Sequence, residues 1–588
     1  MLRTSRILAS LLQSLVLGSA FATVTVGAAT ALVGCANENQ PEYWIDKLDD
    51  KAWRPRAIDR LSQFFEDSMT KANKDFSNPE VKGLLDKLVG PLTNIYVTEY
   101  DNLDEKTRES LINLLAGFKD QRAEPALKAA FEEFGKRGRG GKEVKWAARA
   151  VRDMKLKGTA PAVFEAFKKT KPSTKEGAYY RDLNEALLAV SDPSWATELI
   201  PMLEEDMPVM KPNDANSVND YKDRLYQTVT AAQVLGELGN ANAVKPLIKV
   251  VLDPAKKDAG NEALLALTKI GKPSVDAAIK LFQNKDDELA QFHQKKLQKA
   301  SGADKPPGGT PHVDVAGMIL GAIGRGEAVA PVLEALNAAK EDSDKVTLLT
   351  TLAMLPRTAQ VKTAFIEGMK GIDADTEVDG ANAMQTLSEP ATLFFDASVA
   401  DLLVQRAGEL KGKDDKEKLT KALLLLAALK VMDQSNVAAV GAAISALPKD
   451  DGALGPTIEK IKSSYDLAKK LIDTCKKDAG CYLKEAQKPE NQTDKTQLVA
   501  MKALYSYGQL TGPDGAGALI DALPGLPDGA LRYVVSQIID TKFPQGNEEI
   551  AKKLDAIVAK NRDSMDTDKA SNDKPLRDAV YRLRARQS

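Results

Sequence analysis

Thiols and imidazoles are the easiest reactive groups to assess in this chain, because it contains only three cysteines and two histidines. Cys475 and Cys481 flank the sequence Lys-Lys-Asp-Ala-Gly. On one continuous helix, a separation of six residues would point the two thiols to different faces. Asp478-Ala479-Gly480 instead predicts a break between two helices, which would let the thiols meet in a disulfide worth about 2 kcal/mol. The alternatives are two buried thiols or a metal site, although two ligands without a nearby histidine do not make a closed zinc site.

The other residue types do not suggest an active site. His293 and His312 lie in a segment that reads as a loop, so neither is a plausible base for a serine or cysteine nucleophile. Gly138-Arg139-Gly140-Gly141 lacks the continuation of a phosphate-binding loop. Carboxylates are abundant, but their spacing scatters them over solvent-facing positions. We therefore expect no catalytic residue, no metal and no cofactor, with a carboxylate-only enzyme as the alternative.

Basic residues are concentrated in one stretch, where Glu143 and Asp153 dilute them. The candidates for a basic patch are Lys136, Arg137, Arg139, Lys142, Lys145, Arg149 and Arg152. One interpretation is a patch that faces anionic lipid head groups or an acidic partner, and the other is a solvated helix face. The formal net charge of the whole chain is −2, so no overall field attracts DNA or RNA, and we expect no nucleic-acid partner.

The N-terminal 35 residues are typical of an export signal. Arg3 and Arg6 precede a stretch from Ile7 to Gly34 that contains no charged residue. Two further interpretations stay open at this point. Cleavage after Ala20-Phe21-Ala22 would release a soluble periplasmic product, and the uncleaved segment is long enough to span a bilayer.

The end of this segment resembles the bacterial lipobox, a motif whose cysteine is cleaved at its amino side and lipidated. The matching residues are Leu32, Val33, Gly34 and Cys35. The resemblance implies that Cys35 carries a lipid anchor and that the polar residues 36–41 form a tether. Ala36, rather than an aspartate, follows the cysteine, which by the same resemblance implies delivery to an outer membrane, facing the periplasm.

A short pattern recurs along the rest of the chain, at 111–128, 147–164, 231–248 and 316–333. Each copy has an apolar helical run, a break of Gly, Asn or Asp type, and a second apolar run. In the third copy, Gly239 occupies the position that favours a left-handed residue after a helix, and Pro246 lies in the first turn of the next helix. We place four further prolines at the matching position: Pro125, Pro161, Pro201 and Pro331. Repetition at this period predicts an all-α fold, an α-solenoid of antiparallel helix pairs.

Residues 231–247 resemble a HEAT-type repeat, including the short variety of the phycobilisome lyases, and the resemblance covers most of 80–540. It implies a binding scaffold, with lyases as a minority of the family. We divide the chain into a signal peptide (1–35), a tether (36–41), an N-terminal array (42–283), a polar helix with a Pro/Gly-rich connector (284–313) and a C-terminal array with a terminal cap (314–588). Residues 206–220 read as a second loop. We expect the aromatic residues between Tyr43 and Phe65 to cap the open end of the core.

These features predict a membrane-anchored scaffold of the cell envelope that binds protein partners through an extended solenoid surface. By the family resemblance, that surface would follow the second helices, such as 244–252 and 329–337. One alternative is a lyase-like enzyme or its partner subunit. The other is a structural envelope protein that contacts anionic lipid or a cell-wall polymer.

Overall fold

The computed structural model describes residues 38–587 except 139, 175–178, 307, 379, 448–451, 453 and 563–570. The fold is all-α, a solenoid-like array of helices, and the contacts divide it into two compact units, one ending at Leu88 and one beginning at Val89. Leu32, Val33, Gly34 and Cys35 lie outside the described residues.

The first unit contains α1 (Pro41–Asp46), α2 (Arg54–Lys71) and the first half of α3 (Pro79–Thr98), which continues into the second unit. Trp44 and Phe65 are buried in its core, whereas Trp53 stays partly exposed. The guanidinium groups of Arg56 and Arg60 lie 5.5 and 5.8 Å from the centre of the Trp44 ring. The aromatic side chains of this unit therefore form a small core, and two arginine side chains lie over its Trp44 ring.

The second unit begins with a run of helix pairs. They are α4 (Glu105–Gly117), α5 (Glu124–Arg137), α6 (Gly141–Met154), α7 (Ala160–Lys169), α8 (Tyr180–Ala189), α9 (Ala196–Glu204), α10 (Ala215–Glu237), α11 (Val244–Leu252), α12 (Lys257–Ile270), α13 (Lys272–Phe282) and α14 (Asp287–Ser301).

The remaining helices of this unit are α15 (Pro311–Ile323), α16 (Val329–Ala338), α17 (Asp342–Met354), α18 (Ala359–Lys370), α19 (Ala383–Thr392), α20 (Ala397–Glu409), α21 (Asp415–Val431), α22 (Val437–Ser445), α23 (Gly455–Cys475), α24 (Ala479–Gln487), α25 (Gln497–Leu510), α26 (Ala516–Asp521), α27 (Gly529–Lys542), α28 (Glu548–Arg562) and α29 (Lys574–Ala585). Strands β1 (Glu377–Val378) and β2 (Ala381–Asn382) form an antiparallel hairpin that the sequence pattern did not predict.

The junction between α10 and α11 shows how a pair is made. Gly239 adopts a φ of 60°, and the Asn240 side chain then accepts a hydrogen bond from the Asn242 N–H at 2.9 Å. A short 3-10 turn, Ala241–Ala243, leads into α11, where Pro246 lies in the first turn and lacks only an N–H that would have no partner there. Equivalent 3-10 turns at Gln121–Ala123, Lys157–Thr159 and Gly326–Ala328 precede α5, α7 and α16.

The prediction for Pro201 is wrong, because this proline lies inside α9 rather than in its first turn. The Asp192 carboxylate accepts a hydrogen bond from the Ser194 N–H, which starts the preceding 3-10 turn earlier than the proline suggested. A similar aspartate cap shows that the loop predicted at 206–220 is too long at its C-terminal end. Asp214 accepts from the N–H groups of Asn216 and Ser217, so α10 begins at Ala215.

Neither histidine lies in a loop, which is a third correction. His293 is buried in α14, with its Nδ1 atom 2.6 Å from the Leu252 carbonyl oxygen. His312 is buried in the first turn of α15, with its Nε2 atom 2.9 Å from Asn284 Oδ1. Burial lowers the pKa of both imidazoles. The Pro/Gly-rich residues between α14 and α15 are thus a connection between two packed helices.

The first helices of successive pairs stack on one another in one layer of the second unit. Along the chain, the layer passes through α12, α15, α17, α19, α21, α25 and α27. The C-terminal helix α29 packs against α27 and also against α12 and α15, so this layer closes on itself. Arg586 Nε donates to the Gly324 carbonyl oxygen at 2.8 Å, and the Lys269 ammonium lies 4.3 Å from the Tyr581 ring centre.

The helices of this layer approach closely where small residues face each other. A Cβ atom at Gly236 in α10 would lie 2.6 Å from the Cα atom and 2.8 Å from the Cβ atom of Ala266 in α12. No real side chain tolerates such a distance, so glycine is required for the observed separation of these two helices.

Candidate functional site

The closure of the layer leaves a cleft of about 270 Å³ between α29 and helices α15, α17, α19 and α27. Its lining includes Met354, Arg357, Glu389, Tyr533, Asp540 and Arg582. A neighbouring cleft of about 190 Å³, between α12 and α29, shares Met354 and Arg582 with it. We call the two together the closure cleft.

Charge in the closure cleft is unbalanced. Arg582 Nε donates to Asp540 Oδ2 at 2.7 Å, and Arg586 Nη1 donates to the Asp540 carbonyl oxygen at 3.0 Å. Arg357 donates to Thr541 Oγ1 and to Gln537 Oε1, both at 2.6 Å. Desolvation lowers the pKa of Arg357 to about 10 against the opposing effect of Asp540, so this group stays protonated at neutral pH. Three guanidinium groups therefore surround one carboxylate.

The two other acids of the cleft, Glu389 and Asp578, do not restore the balance, and Asp578 is paired with Arg577. Glu389 Oε2 accepts a hydrogen bond from Lys430 Nζ at 2.5 Å, which pairs its charge locally. The cleft can thus accept a further negative group, such as a carboxylate of a bound segment, in bidentate contact with an arginine.

Apolar side chains of the same layer are exposed beside this charge. Met318 on α15, Met354 on α17 and Tyr533 on α27 keep 44%, 40% and 38% of their surface exposed. Methionine and tyrosine adapt to different partner surfaces and are enriched in the centres of protein interfaces. The layer therefore combines the two kinds of contact that a protein segment uses in binding.

The predicted basic patch is largely neutralised. Five of its residues form ion pairs with carboxylates of the same or neighbouring elements: Lys136 with Glu133, Arg137 with Glu133 and Asp101, Lys142 with Glu109, Arg149 with Asp182, and Arg152 with Glu185. The Lys145 ammonium lies 4.9 Å from the centre of the Trp146 ring, and Arg139 lies outside the described residues.

Glu143, which the sequence suggested only as a diluting charge in the patch, is a buried structural group. Its carboxylate accepts hydrogen bonds from the Tyr96 hydroxyl and from Arg108 Nε, the latter at 3.1 Å. Burial raises the pKa of Glu143, while its hydrogen bonds to Tyr96 and Arg108 oppose that rise. This cluster joins α3, α4 and α6 within the second unit.

Cys475 and Cys481 are joined as a disulfide, with their Cα atoms 5.4 Å apart. Helix α23 ends at Cys475, Lys476 adopts a φ of 50°, and Asp478 caps α24 by accepting from the Cys481 N–H at 3.0 Å. The structure therefore contains the predicted break, but at 476–478 rather than 478–480, because Ala479 and Gly480 already belong to α24. Neither of these sulfur atoms is a free thiol.

Sequence reasoning missed one pair of polar residues. Lys502 is completely buried in α25, and its Nζ atom lies 2.6 Å from Ser506 Oγ, one helical turn further along. The expectation of no catalytic residue rests on histidine as the base, and lysine can also serve in that role. The available signal was a single lysine within the otherwise uncharged helix Gln497–Leu510.

Comparisons with known proteins add little to this description. No family model and no curated protein matches the chain. One solved structure, from work described as "A conserved phosphorylation switch controls the interaction between cadherin and beta-catenin in vitro and in vivo", matches 93% of this chain and 99% of its own chain at 11% identity. The TM-score of that match is 0.27, so no argument rests on it.

Two further features concern the described residues only. None of their helices is at once long and apolar enough to cross a bilayer. They also contain no group of three or more His, Cys, Asp or Glu side chains arranged to hold a metal ion.

Proposed function

We propose that this protein is a membrane-anchored scaffold of the cell envelope and that it binds an acidic segment of a protein partner in the closure cleft. The observation that carries the proposal is the excess of arginine in the cleft beside exposed methionine and tyrosine side chains. Arginine would pair with carboxylates of the partner, and Met354 and Tyr533 would cover its apolar side chains. The binding surface is then the layer of first helices, rather than the second helices that the family resemblance implied.

Substitution of Met354 tests this proposal. Met354→Glu places a carboxylate where the partner presents its own, so we expect affinity for the partner to fall by about tenfold or more. Full-length protein in detergent extracts would be used to recover the partner, and titration calorimetry with the recovered protein would measure the affinity. Affinity should also fall as salt rises, because the contact is partly ionic.

Met210→Glu is the matched control, because Met210 is 49% exposed on the loop before α10 and lies outside the closure cleft. It should leave the affinity unchanged. Equal loss with both variants, or no loss with Met354→Glu, would contradict docking in the cleft.

The anchor is tested at Cys35. Lipidation would hold the protein at a membrane, since each buried CH₂ contributes about 0.8 kcal/mol. Cys35→Ser should abolish lipid labelling and leave the precursor unprocessed, which intact-mass measurement detects. Normal maturation of this variant with a new N-terminus at Thr23 would show cleavage after Ala22 instead.

The two alternatives receive less support. A thiol-dependent enzyme would need Cys475 or Cys481 as a free thiol, and these residues are bonded to each other. Contact with anionic lipid through the basic patch would need unpaired cations, whereas five of its residues have carboxylate partners. We therefore base the proposal on the closure cleft.

A further inference from the structure

A second and larger cleft, of about 610 Å³, lies in the second unit at the ends of several helices. The turns between α19 and α20, between α21 and α22, and between α23 and α24 form its walls, and α25 closes one side. Its volume is in the range of sites that bind small molecules or short peptide segments. Ser506 of α25 is part of its lining.

Lys502 lies one helical turn before Ser506 in α25 and is not among the residues that line the cleft. Its side chain has no exposed surface, and its Nζ atom is 2.6 Å from Ser506 Oγ. Among the residues that the structure describes, Ser506 is its only hydrogen-bond partner. A buried ammonium with one hydroxyl as partner is poorly solvated, and burial lowers the pKa of Lys502 to about 7, with Asp433 opposing the shift.

The other titratable groups near this pair come from four neighbouring segments: the turn before α20, the turn after α21, the turn between α23 and α24, and α24 itself. Asp433 lies on the turn after α21, and Tyr482 lies on α24. The Tyr482 hydroxyl donates to the Lys476 carbonyl oxygen at 3.1 Å, and it is close enough to Ser506 for that hydroxyl to oppose the rise in its pKa that burial causes. Asp396, Lys476 and Lys477 line the cleft further out.

We propose that Ser506 and Lys502 form a nucleophile and general-base pair that acts on a carboxylic ester bound in this cleft. Such a pair needs a hydroxyl at the wall of a cleft and an amine within hydrogen-bond distance of that hydroxyl. Ser506 provides the hydroxyl and the buried Lys502 provides the amine. This activity is additional to partner binding in the closure cleft and does not depend on it.

The reaction divides into two balanced steps. Ser506 Oγ forms a bond to the carbonyl carbon and its proton passes to Lys502 Nζ. The bond to the alcohol oxygen then breaks, and the alcohol leaves with that proton. In the second step a water molecule gives a proton to Lys502, its oxygen bonds to the acyl carbon, and Ser506 leaves and recovers the proton. The sum is ester and water to carboxylic acid and alcohol.

The test uses full-length protein, a fluorophosphonate probe and p-nitrophenyl acetate. We expect the probe to modify Ser506 in the folded protein, as located by peptide mass spectrometry. Ser506→Ala should abolish both labelling and ester hydrolysis, and Lys502→Met should slow labelling by about 10²-fold. The matched control is Ser536→Ala, because Ser536 is equally buried in α27 and donates to the Tyr533 carbonyl oxygen at 2.7 Å rather than to an amine. It should change neither rate.

The pH profile separates a base from a structural lysine. Labelling of the wild type should rise as Lys502 loses its proton near pH 7 and then level off, whereas Lys502→Met should lack this step. If Lys502→Met does not fold, the wild-type profile alone decides. Modification of Ser506 only after denaturation, no labelling of the native protein at pH 9, or a profile without a step near neutral pH would each overturn the proposal.

Discussion

Buried ionisable side chains in this protein differ in how far hydrogen bonds and opposite charges replace the hydration that they lose on burial. Glu143 has a phenol and a guanidinium as partners, so its charge is shared among three groups. Lys502 has one hydroxyl. An ammonium without a carboxylate partner loses most of its hydration free energy on burial and recovers little of it. Lys502 therefore destabilises the folded state whenever that state must carry its proton.

The stability cost of Lys502 should depend on pH. The pKa of Lys502 is about 7 in the folded protein and 10.5 for an unperturbed lysine, which represents the unfolded chain. Between these two pH values the unfolded chain therefore binds a proton that the folded chain does not. The free energy of unfolding therefore rises with pH across this window, and the full cost, on the order of 5 kcal/mol, applies below pH 7. Lys502→Met should thus raise the unfolding temperature at pH 6.5, and the advantage should shrink towards pH 10.

Thermal unfolding of the two proteins at both pH values measures this difference. Titration of the other side chains is common to both proteins and cancels. An equal gap between wild type and variant at pH 6.5 and pH 10 would show that Lys502 keeps its proton in the folded state.

At the scale of residues, the sequence predicted contacts between residues close in the chain better than contacts between residues far apart in the chain. A helix break near Asp478 followed from local turn chemistry, and the structure contains it at 476–478 together with the Cys475–Cys481 bond. The basic patch depended on which carboxylates come near, and Asp182 and Glu185 belong to another helix. No pattern within residues 136–152 contains that information.

At the scale of helices, the sequence predicted the break between the two helices of a pair. Gly239 and Pro246 adopt the roles that their conformational preferences dictate. Errors arose where an aspartate cap began an element earlier than the proline or the polar residues suggested, as at Asp192 and Asp214. The histidines were misplaced although a polar helix was predicted within 284–313, because His293 lies on the buried face of that helix, α14, and His312 lies in the first turn of α15.

Gly236 provides a test of helix packing. Gly236→Ala should gain up to about 1 kcal/mol from helix propensity, but its methyl group would collide with the backbone of Ala266. Forcing α10 and α12 apart costs about 1–3 kcal/mol, so we expect net destabilisation. Urea unfolding would measure it.

Gly260→Ala is the matched control, because Gly260 lies in α12 of the same pair and a Cβ atom there would have no neighbour within 4 Å. It should leave stability unchanged or raise it slightly. If both variants are stabilised to the same extent, α10 and α12 are not held together at the separation described.

At the scale of the molecule, the most consequential contact joins α29 to α12 and α15. An open array can lose terminal repeats one at a time, because each repeat packs only on its neighbours. The closed layer from α12 to α29 has no free end of that kind. The sequence predicted the helices and their pairing but not this closure, since repeats encode contacts between neighbours and α29 meets residues more than 250 positions upstream, as in the hydrogen bond from Arg586 to Gly324.

Removal of residues 563–588 should therefore affect distant helices. Leu576, Val580 and Leu583 of α29 are buried, and each large aliphatic side chain withdrawn from a core costs about 2–5 kcal/mol. We expect faster amide hydrogen exchange in α12 and α15, with exchange in α4 and α6 unchanged. Unchanged protection of α12 would show that α29 does not close the layer in solution.

The same closure imposes an order in time on the chain as it is made. The helices from α4 to α11 can pair with neighbours soon after synthesis, because their contacts are local in sequence and form quickly. The layer that begins at α12 closes only once α29 has been synthesised, because α29 packs against α12, α15 and α27. Until then the apolar faces of α12 and α27 lack their partner, and a growing chain exposes surface that favours aggregation. A protein built in this way depends on α29 to bury those faces, so a chain that stops before Lys574 should aggregate far more than the small loss of mass suggests.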